Sequence, residues 1–328
     1  MLGFLAGCQA NGGTPLPSPS ATPEPLLPSR TATSTVIPSE TPTLTPVLPV
    51  PSVSPVETPD PRQFVVAASD TDVWDDPANE GKYWSLQTEL IFDEKVLVLE
   101  QKGGWSRIVA VEQPTSKDPL GYPGWVRTAD LVRGWPVAAQ YAVVMRPLVS
   151  LRDAPDGMAV LSVLLDTRLP VESTNGDWVG VRPPNGVTAW ISMQDVRLTN
   201  DLSLPIPTDG LFTLAGTLAG IPYRWGGATP IAFDCSGFVY RLFHAYGITL
   251  ARDARDQAVG GEPVARDELR KGDLIFTSDV SGGEITHVAM YWGDGMILDA
   301  AGDIGTSVRP LANLLAGNSW VTARRYLP

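Results

Sequence analysis

The run Asp234-Cys235-Ser236-Gly237 places a cysteine where an apolar helical pattern begins. The chain holds two cysteines and two histidines in 328 residues. Cys8 lies at the extreme N-terminus, so Cys235 has no evident disulfide partner, and two cysteines are too few for a zinc cluster. Buried apolar filler and reactive thiolate are the roles left to it. From Ser236 to Tyr246 the residues Phe238, Val239, Leu242, Phe243 and Tyr246 recur at helical spacing, which predicts Cys235 in the first turn of a buried helix. Unpaired N–H groups and the positive end of the helix dipole there favour thiolate over thiol and can hold a developing oxyanion.

Such a thiolate needs a base. His244 lies nine residues further along the same helix, about 13 Å along the axis and out of reach. His287 opens the run His287-Val288-Ala289-Met290-Tyr291-Trp292, which reads as a strand, and Met296 to Ala300 reads as its antiparallel partner after Gly293-Asp294-Gly295. In that hairpin Asp299 could lie opposite His287 and hold its far ring nitrogen, as a nucleophile, base and orienting group require. A histidine on a strand is commonly structural; a cysteine at a helix start and an opposing carboxylate together favour the catalytic reading. No spacing such as H-E-x-x-H occurs, so neither a metal nor an organic cofactor is expected.

The rest of the chain must position these groups. Its length allows two or three domains, and 43% hydrophobic residues suffice for their cores. A net charge of -12 argues against a nucleic acid or an anionic membrane surface as the main partner and for a neutral or mixed-charge ligand. Residues 9–61 are dominated by Pro, Ser and Thr and are expected to form a disordered, partly polyproline tether, with a reach on the order of 150 Å if fully extended. Residues 62–136 and 137–200 read as short β-rich runs and resemble each other. The first has Val73-Trp74-Asp75-Asp76-Pro77, Gly104-Trp105-Ser106-Arg107-Ile108 and Gly124-Trp125-Val126; the second has Ser150-Leu151-Arg152-Asp153-Ala154-Pro155, Asp177-Trp178-Val179-Gly180-Val181 and Ala189-Trp190-Ile191. Two copies of one small β unit are expected, each filled by its tryptophans. After a short linker from Asp201 to Pro207, residues 201–328 read as an α+β domain whose first helix, Leu211 to Ala219, is ended by Gly220; Leu311 to Tyr326 is expected to close its sheet. No later segment offers the roughly 20 apolar residues of a spanning helix, so any membrane attachment would be through lipid.

Four resemblances follow from these residues. Leu5-Ala6-Gly7-Cys8 resembles the lipobox of bacterial lipoproteins, which implies lipidation at Cys8, a truncated leader over residues 1–8, and an extracytoplasmic chain anchored to the bacterial cell membrane. The two repeats resemble tandem bacterial SH3-like β-barrels. Gly220-Ile221-Pro222-Tyr223 with Trp225-Gly226-Gly227, Asp234-Cys235-Ser236-Gly237, Lys271-Gly272-Asp273-Leu274-Ile275-Phe276 and His287-Val288-Ala289-Met290-Tyr291 followed by Asp299 resemble the NlpC/P60 family of papain-like cysteine peptidases. That resemblance implies a papain-like fold with an antiparallel sheet, Cys235 as nucleophile, His287 as general base, Asp299 as the third polar member and Tyr223 near the oxyanion. Asp234 and Ser236, which flank the nucleophile, become substrate contacts. The family's third position is most often His; here it is Asp, which preserves orientation and adds negative charge.

With the first repeat included, Ile91-Phe92-Asp93-Glu94-Lys95-Val96 and Gly121-Tyr122-Pro123-Gly124-Trp125-Val126 resemble the γ-D-glutamyl-L-diamino acid endopeptidases that join two SH3-like domains to this catalytic domain. The resemblance implies that Glu94, Tyr122 and Asp253 bind the free amine of an N-terminal L-Ala. Ala254 stands where those enzymes often have Ser. The implied reaction is hydrolysis of peptidoglycan stem peptides between D-Glu and the diamino acid. The alternatives are a cross-link-cleaving endopeptidase, amidase or transferase on the same scaffold, and a non-catalytic wall-binding lipoprotein.

Overall fold

Between residues 62 and 200 apolar and polar residues alternate with a period of two, and Gly, Pro and Asp break the runs, so the chain folds into short antiparallel strands. A computed structural model describes residues 60–327, apart from residues 203, 205, 206, 208, 209 and 303. Cys8 and all but the last two residues of the expected tether lie outside the described residues. Strands β1 Gln63–Val66, β2 Asp70–Trp74, β3 Leu86–Ile91, β4 Lys95–Lys102, β5 Trp105–Ala110, β6 Tyr122–Arg127 and β7 Leu131–Arg133 form a sheet in the order β3-β2-β6-β5-β4-β1-β7. Strands β8 Tyr141–Val144, β9 Leu148–Arg152, β10 Ala159–Leu164, β11 Arg168–Asn175, β12 Trp178–Val181, β13 Ala189–Ser192 and β14 Val196–Thr199 form a second, in the order β10-β9-β13-β12-β11-β8-β14.

The second order is the first advanced by seven strands, so the internal repeat holds at the level of topology. The turns match as well. Asp93 and Asp166 take the same place between third and fourth strands with φ of 66° and 73°, and their N–H groups donate to Val66 O (2.8 Å) and Val144 O (2.9 Å). Aspartate tolerates this left-handed backbone better than most residues.

The tryptophans do not fill the cores. Phe64, Val73, Leu90, Val96, Ile108 and Val126 do so in the first unit, while Trp74 and Trp105 pack with Leu86 and Trp125 in a separate cluster. In the second unit Val149, Leu151, Val163, Leu169, Val179 and Ile191 fill the core and Trp178 and Trp190 are only half-buried. Successive strand residues face opposite sides of the sheet, so Trp74 and Val73, or Trp190 and Ile191, cannot share one core.

The remaining chain forms α1 Leu211–Thr217, a two-stranded ribbon of β15 Ala228–Thr229 and β16 Ala232–Phe233, α2 Cys235–His244, α3 Ala254–Gln257 and a six-stranded antiparallel sheet. The sheet order is β17 Glu262–Pro263, β22 Ser319–Arg325, β18 Leu274–Ser278, β19 His287–Gly293, β20 Met296–Ala301 and β21 Gly305–Pro310, and α4 Leu311–Gly317 precedes β22. The last segment does close the sheet, but it inserts between β17 and β18. Every residue of α2 is buried. One face packs Phe238, Leu242 and Phe243 against Phe276, Val288, Met290 and Leu298 of the sheet. The opposite side meets the β units: Tyr240 OH donates to Glu112 O at 3.0 Å, and Arg241 pairs with Glu94 (3.0 Å) and Asp166 (3.1 Å), one from each unit. Arg224 forms a bidentate pair with Asp72 (2.9 and 2.7 Å) and a further contact to Glu89 at 2.7 Å. Among the described residues, no helix is long and apolar enough to cross a membrane.

Helix α2 enters past the ribbon at very close range. A Cβ on Gly237 would lie 2.0 Å from Gly227 O. Backbone cannot yield there as a flexible side chain would, so Gly237→Ala is expected to cost about 3 kcal/mol or more in urea unfolding, at the upper end of overpacking penalties.

Candidate active site

Asp234 has an extended backbone (φ −88°, ψ 175°) and caps α2 by accepting from Gly237 N at 2.6 Å. This is the capping that Asp supplies when it precedes a helix. The cap is itself clamped: Arg252, fully buried, donates to both oxygens of Asp234 (3.1 and 2.7 Å) and, through Nε, to Thr88 Oγ1 of the first β unit at 2.8 Å. Ser236 Oγ donates to Asp234 at 3.1 Å and accepts from Arg252 at 3.1 Å. Cys235 follows the cap with 8% exposure, and its thiol is free. In helix geometry the N–H groups of Cys235 and Ser236 have no intrahelical acceptor, which makes the start of this helix a place where backbone donors can meet a developing negative charge.

His287 is the first residue of β19, and its Nε2 donates to Asp299 Oδ2 of β20 at 2.7 Å. Asp299 is not directly opposite. The pairing Met290↔Leu298 continues to put Asp299 across from Ala289, two residues along from His287. The two side chains share a face and meet on the diagonal, a separation that long side chains can bridge. Asp299 is also held from the other side by Arg309 of β21, which donates at 3.0 Å through Nε and 2.6 Å through Nη2. Burial would raise the Asp299 pKa, but hydrogen bonds from His287 and Arg309 and their charges bring it below the ordinary value. A fully buried carboxylate thus stays ionised.

Burial alone would lower the His287 pKa. The negative charge of Cys235, hydrogen bonds to Asp299 and Cys235, and the charge of Asp299 outweigh it and raise the value from 6.5 to about 10. The ring therefore carries its second proton through neutral pH and loses it only as pH approaches about 10. The basic limb of the kcat/KM profile is accordingly expected far above 6.5, toward pH 10, in stopped or continuous peptide assays from pH 5 to 10.5. A basic limb near 6.5 would overturn this pairing.

Cys235 opens onto a cavity of about 450 Å³ whose walls include Tyr122, Tyr223, Asp234, Ser236, Asp253 and Gln87. Tyr223 is one of four aromatic residues in its walls, with Trp84, Tyr122 and Trp225. Burial and the neighbouring Cys235 charge push its phenol well above 10, so it remains a hydrogen-bond donor. Tyr122 OH donates to Asp253 Oδ1 at 2.9 Å, joining the first β unit to the loop before α3.

Two sequence expectations change here. Glu94 does not reach the cavity: its carboxylate is buried, accepts from Ile91 N (3.1 Å) and Gln113 Nε2 (2.7 Å), and pairs with Arg241. Those donors saturate it, so it serves the contact between units. Asp234 and Ser236 line the cavity, but their polar side-chain atoms are engaged with Arg252, Gly237 and each other, which makes them supports of the nucleophile. Sequence reasoning also missed Arg309 and Arg252. The alternation Ser307, Arg309 along β21 puts Arg309 on the Asp299 face, since Asp299 pairs with Ser307. Arg252 carries no comparable local signal, because its partners are reached only through the fold.

A separate cavity of about 350 Å³, walled by Phe92, Leu151, Val160 and Val187 among others, lies between the two β units and has neither cysteine nor histidine in its lining.

Comparison with known proteins matches residues 220–325 to the NlpC/P60 family and residues 144–198 to the YKFC SH3b2 domain. The chain is 34% identical over 253 residues to a gamma-D-glutamyl-L-lysine dipeptidyl-peptidase of Bacillus cereus, covering 74% of this chain and 76% of that one. A protein of the same name from Bacillus subtilis is 34% identical over 217 residues, 65% of this chain and 71% of the other. The crystal structure of an NlpC/P60 family protein from Bacillus cereus superposes with a TM-score of 0.75 at 28% identity, covering 81% of this chain and all of that one.

Proposed function

Because the chain belongs to the NlpC/P60 family of cysteine peptidases, we propose that it hydrolyses the γ-D-glutamyl–diamino acid bond of peptidoglycan stem peptides that carry a free N-terminal L-Ala. The observation that supports this most is that Cys235 shares one cavity with Tyr122 and Asp253, an acceptor pair supplied by two different parts of the chain. In a partly desolvated pocket an ammonium needs a carboxylate and a hydroxyl acceptor, and a wall contributed by another unit excludes longer or blocked N-termini. The relatives named for γ-D-glutamyl-L-lysine cleavage support the same bond.

In this reading the Cys235 thiolate attacks the γ-carbonyl carbon. The N–H groups that open α2, with the Tyr223 hydroxyl, receive the oxyanion. His287, held at Nε2 by Asp299, gives the proton on its other nitrogen to the leaving amine. The product amine departs and a thioester remains. His287 then takes a proton from water, which attacks the thioester and releases L-Ala-γ-D-Glu. As part of the same proposal the chain works outside the cytoplasm and is attached through Cys8, a reading supported by the lipobox-like run Leu5-Ala6-Gly7-Cys8.

The test uses residues 62 to 328 and reads products by mass spectrometry from L-Ala-γ-D-Glu-L-Lys and its N-acetylated form. Release of L-Ala-γ-D-Glu from the free-amine peptide alone is expected. Equal cleavage of both peptides would remove Tyr122 and Asp253 from amine recognition while leaving the cysteine peptidase in place.

A further inference from the structure

The loop joining β5 to β6 bears Lys117 and is fastened to the catalytic part at the residues just before it. Pro114 O accepts from Arg252 N at 2.8 Å, and Ser116 N donates to Asp256 Oδ2 at 2.7 Å. With its backbone fixed, Lys117 directs its ammonium into the cavity that holds Cys235. Nζ donates to Tyr122 OH, lies 3.1 Å from Asp253 Oδ2, and sits 4.2 Å from the centre of the Tyr122 ring. These are the carboxylate and hydroxyl to which the proposed reaction assigns a substrate ammonium.

Two ammonium groups cannot both occupy that place. At about 4 Å their repulsion acts in a partly desolvated site, and one carboxylate with one phenol offers too few acceptors for both. The Lys117 side chain is 40% exposed, so it has an outward path into water. We propose that Lys117 is a specificity-determining residue: its ammonium is a tethered competitor for the amine seat formed by Tyr122 and Asp253, and a substrate's free N-terminus must displace it. This inference rests on the free-amine reading above.

The consequence is a tax on binding. When the competent state is only a fraction of the resting protein, apparent affinity falls by that fraction. A weakly bound peptide amine is turned away, and only a ligand that also fills the rest of the cavity gains enough to evict the lysine.

The experiment measures KM and kcat for L-Ala-γ-D-Glu-L-Lys, with N-acetylated peptide in parallel, for wild type, Lys117→Met and Lys117→Arg. Methionine keeps the stem and removes the charge, and the exposed position makes loss of folding easy to exclude by circular dichroism. KM is expected to fall about tenfold in Lys117→Met, with the gain in KM rather than kcat, and to show no such fall in Lys117→Arg. If wild type selects the free-amine peptide but Lys117→Met leaves KM unchanged or raises it, the competitor role is wrong and the free-amine reading stands. If wild type cleaves both peptides equally, the free-amine reading fails first and this inference falls with it.

Discussion

Cys235→Ala is expected to lower kcat on the order of 10⁵-fold while leaving the circular dichroism spectrum and thermal unfolding close to wild type. The substitution removes one sulfur from a helix whose cap, Asp234, is independently fastened by Arg252 and Gly237. His287→Ala should cost nearly as much, and the double variant little more than either, because nucleophile and base act as one unit whose losses do not add. Asp299→Asn is a milder case, expected at about 10²- to 10⁴-fold, since it keeps the shape but no longer favours the imidazolium. Steady-state kinetics on the free-amine peptide separates these outcomes. Additive losses for Cys235→Ala and His287→Ala would show that the two residues do not cooperate in one reaction.

The second large effect concerns stability. Arg241 is fully buried, and its charge is balanced by Glu94 of the first β unit and Asp166 of the second. Removing one partner of a buried pair typically costs 3–5 kcal/mol, because the remaining charges lose compensation in a poorly solvating interior. Arg241→Met is expected to cost about that much in urea unfolding, and adding Glu94→Gln should cost less than the sum of the two single changes. An additive double variant would sink the network argument. Acid should act on the same place. Burial would raise the Asp166 pKa, but the charges of His244, Arg168 and Arg241 hold it well below its ordinary 3.8. A depressed carboxylate contributes stability above its unfolded value and loses it as pH falls, so the contact should weaken below about pH 4.

Much of the reacting centre was legible because it is local. A helix start, a strand and its hairpin partner are short-range patterns, and they place Cys235, His287 and Asp299 without knowledge of the rest. Even there the register was off by two residues, and a bulge between Tyr291 and Gly293, which moves the pairing by one, is what brings Asp299 opposite Ala289 and onto the His287 face. Of the three residues expected to act together away from the reacting centre, Tyr122 and Asp253 do line the cavity of Cys235 and bond to each other, whereas Glu94 is taken by Arg241, 147 positions away in sequence. No local period reveals such a pairing. Lys117 escaped for a similar reason, being an unremarked loop cation whose partner Asp253 belongs to another part of the chain. The tryptophan expectation failed on the two-sidedness of a strand, which composition and spacing alone did not resolve.

The cationic staples between units bear on how such a chain can be rearranged. Arg224 and Arg241 each belong to the peptidase part, yet their anionic partners Asp72, Glu89, Glu94 and Asp166 all belong to the β units. A peptidase part transplanted onto a foreign carrier would bring two orphaned guanidinium groups to a face built for burial, and it would leave Lys117 and Tyr122 of the cavity wall behind. The pieces look interchangeable when read as a string of modules; their electrostatics make them an heirloom set, passed on together or remade on both sides at once.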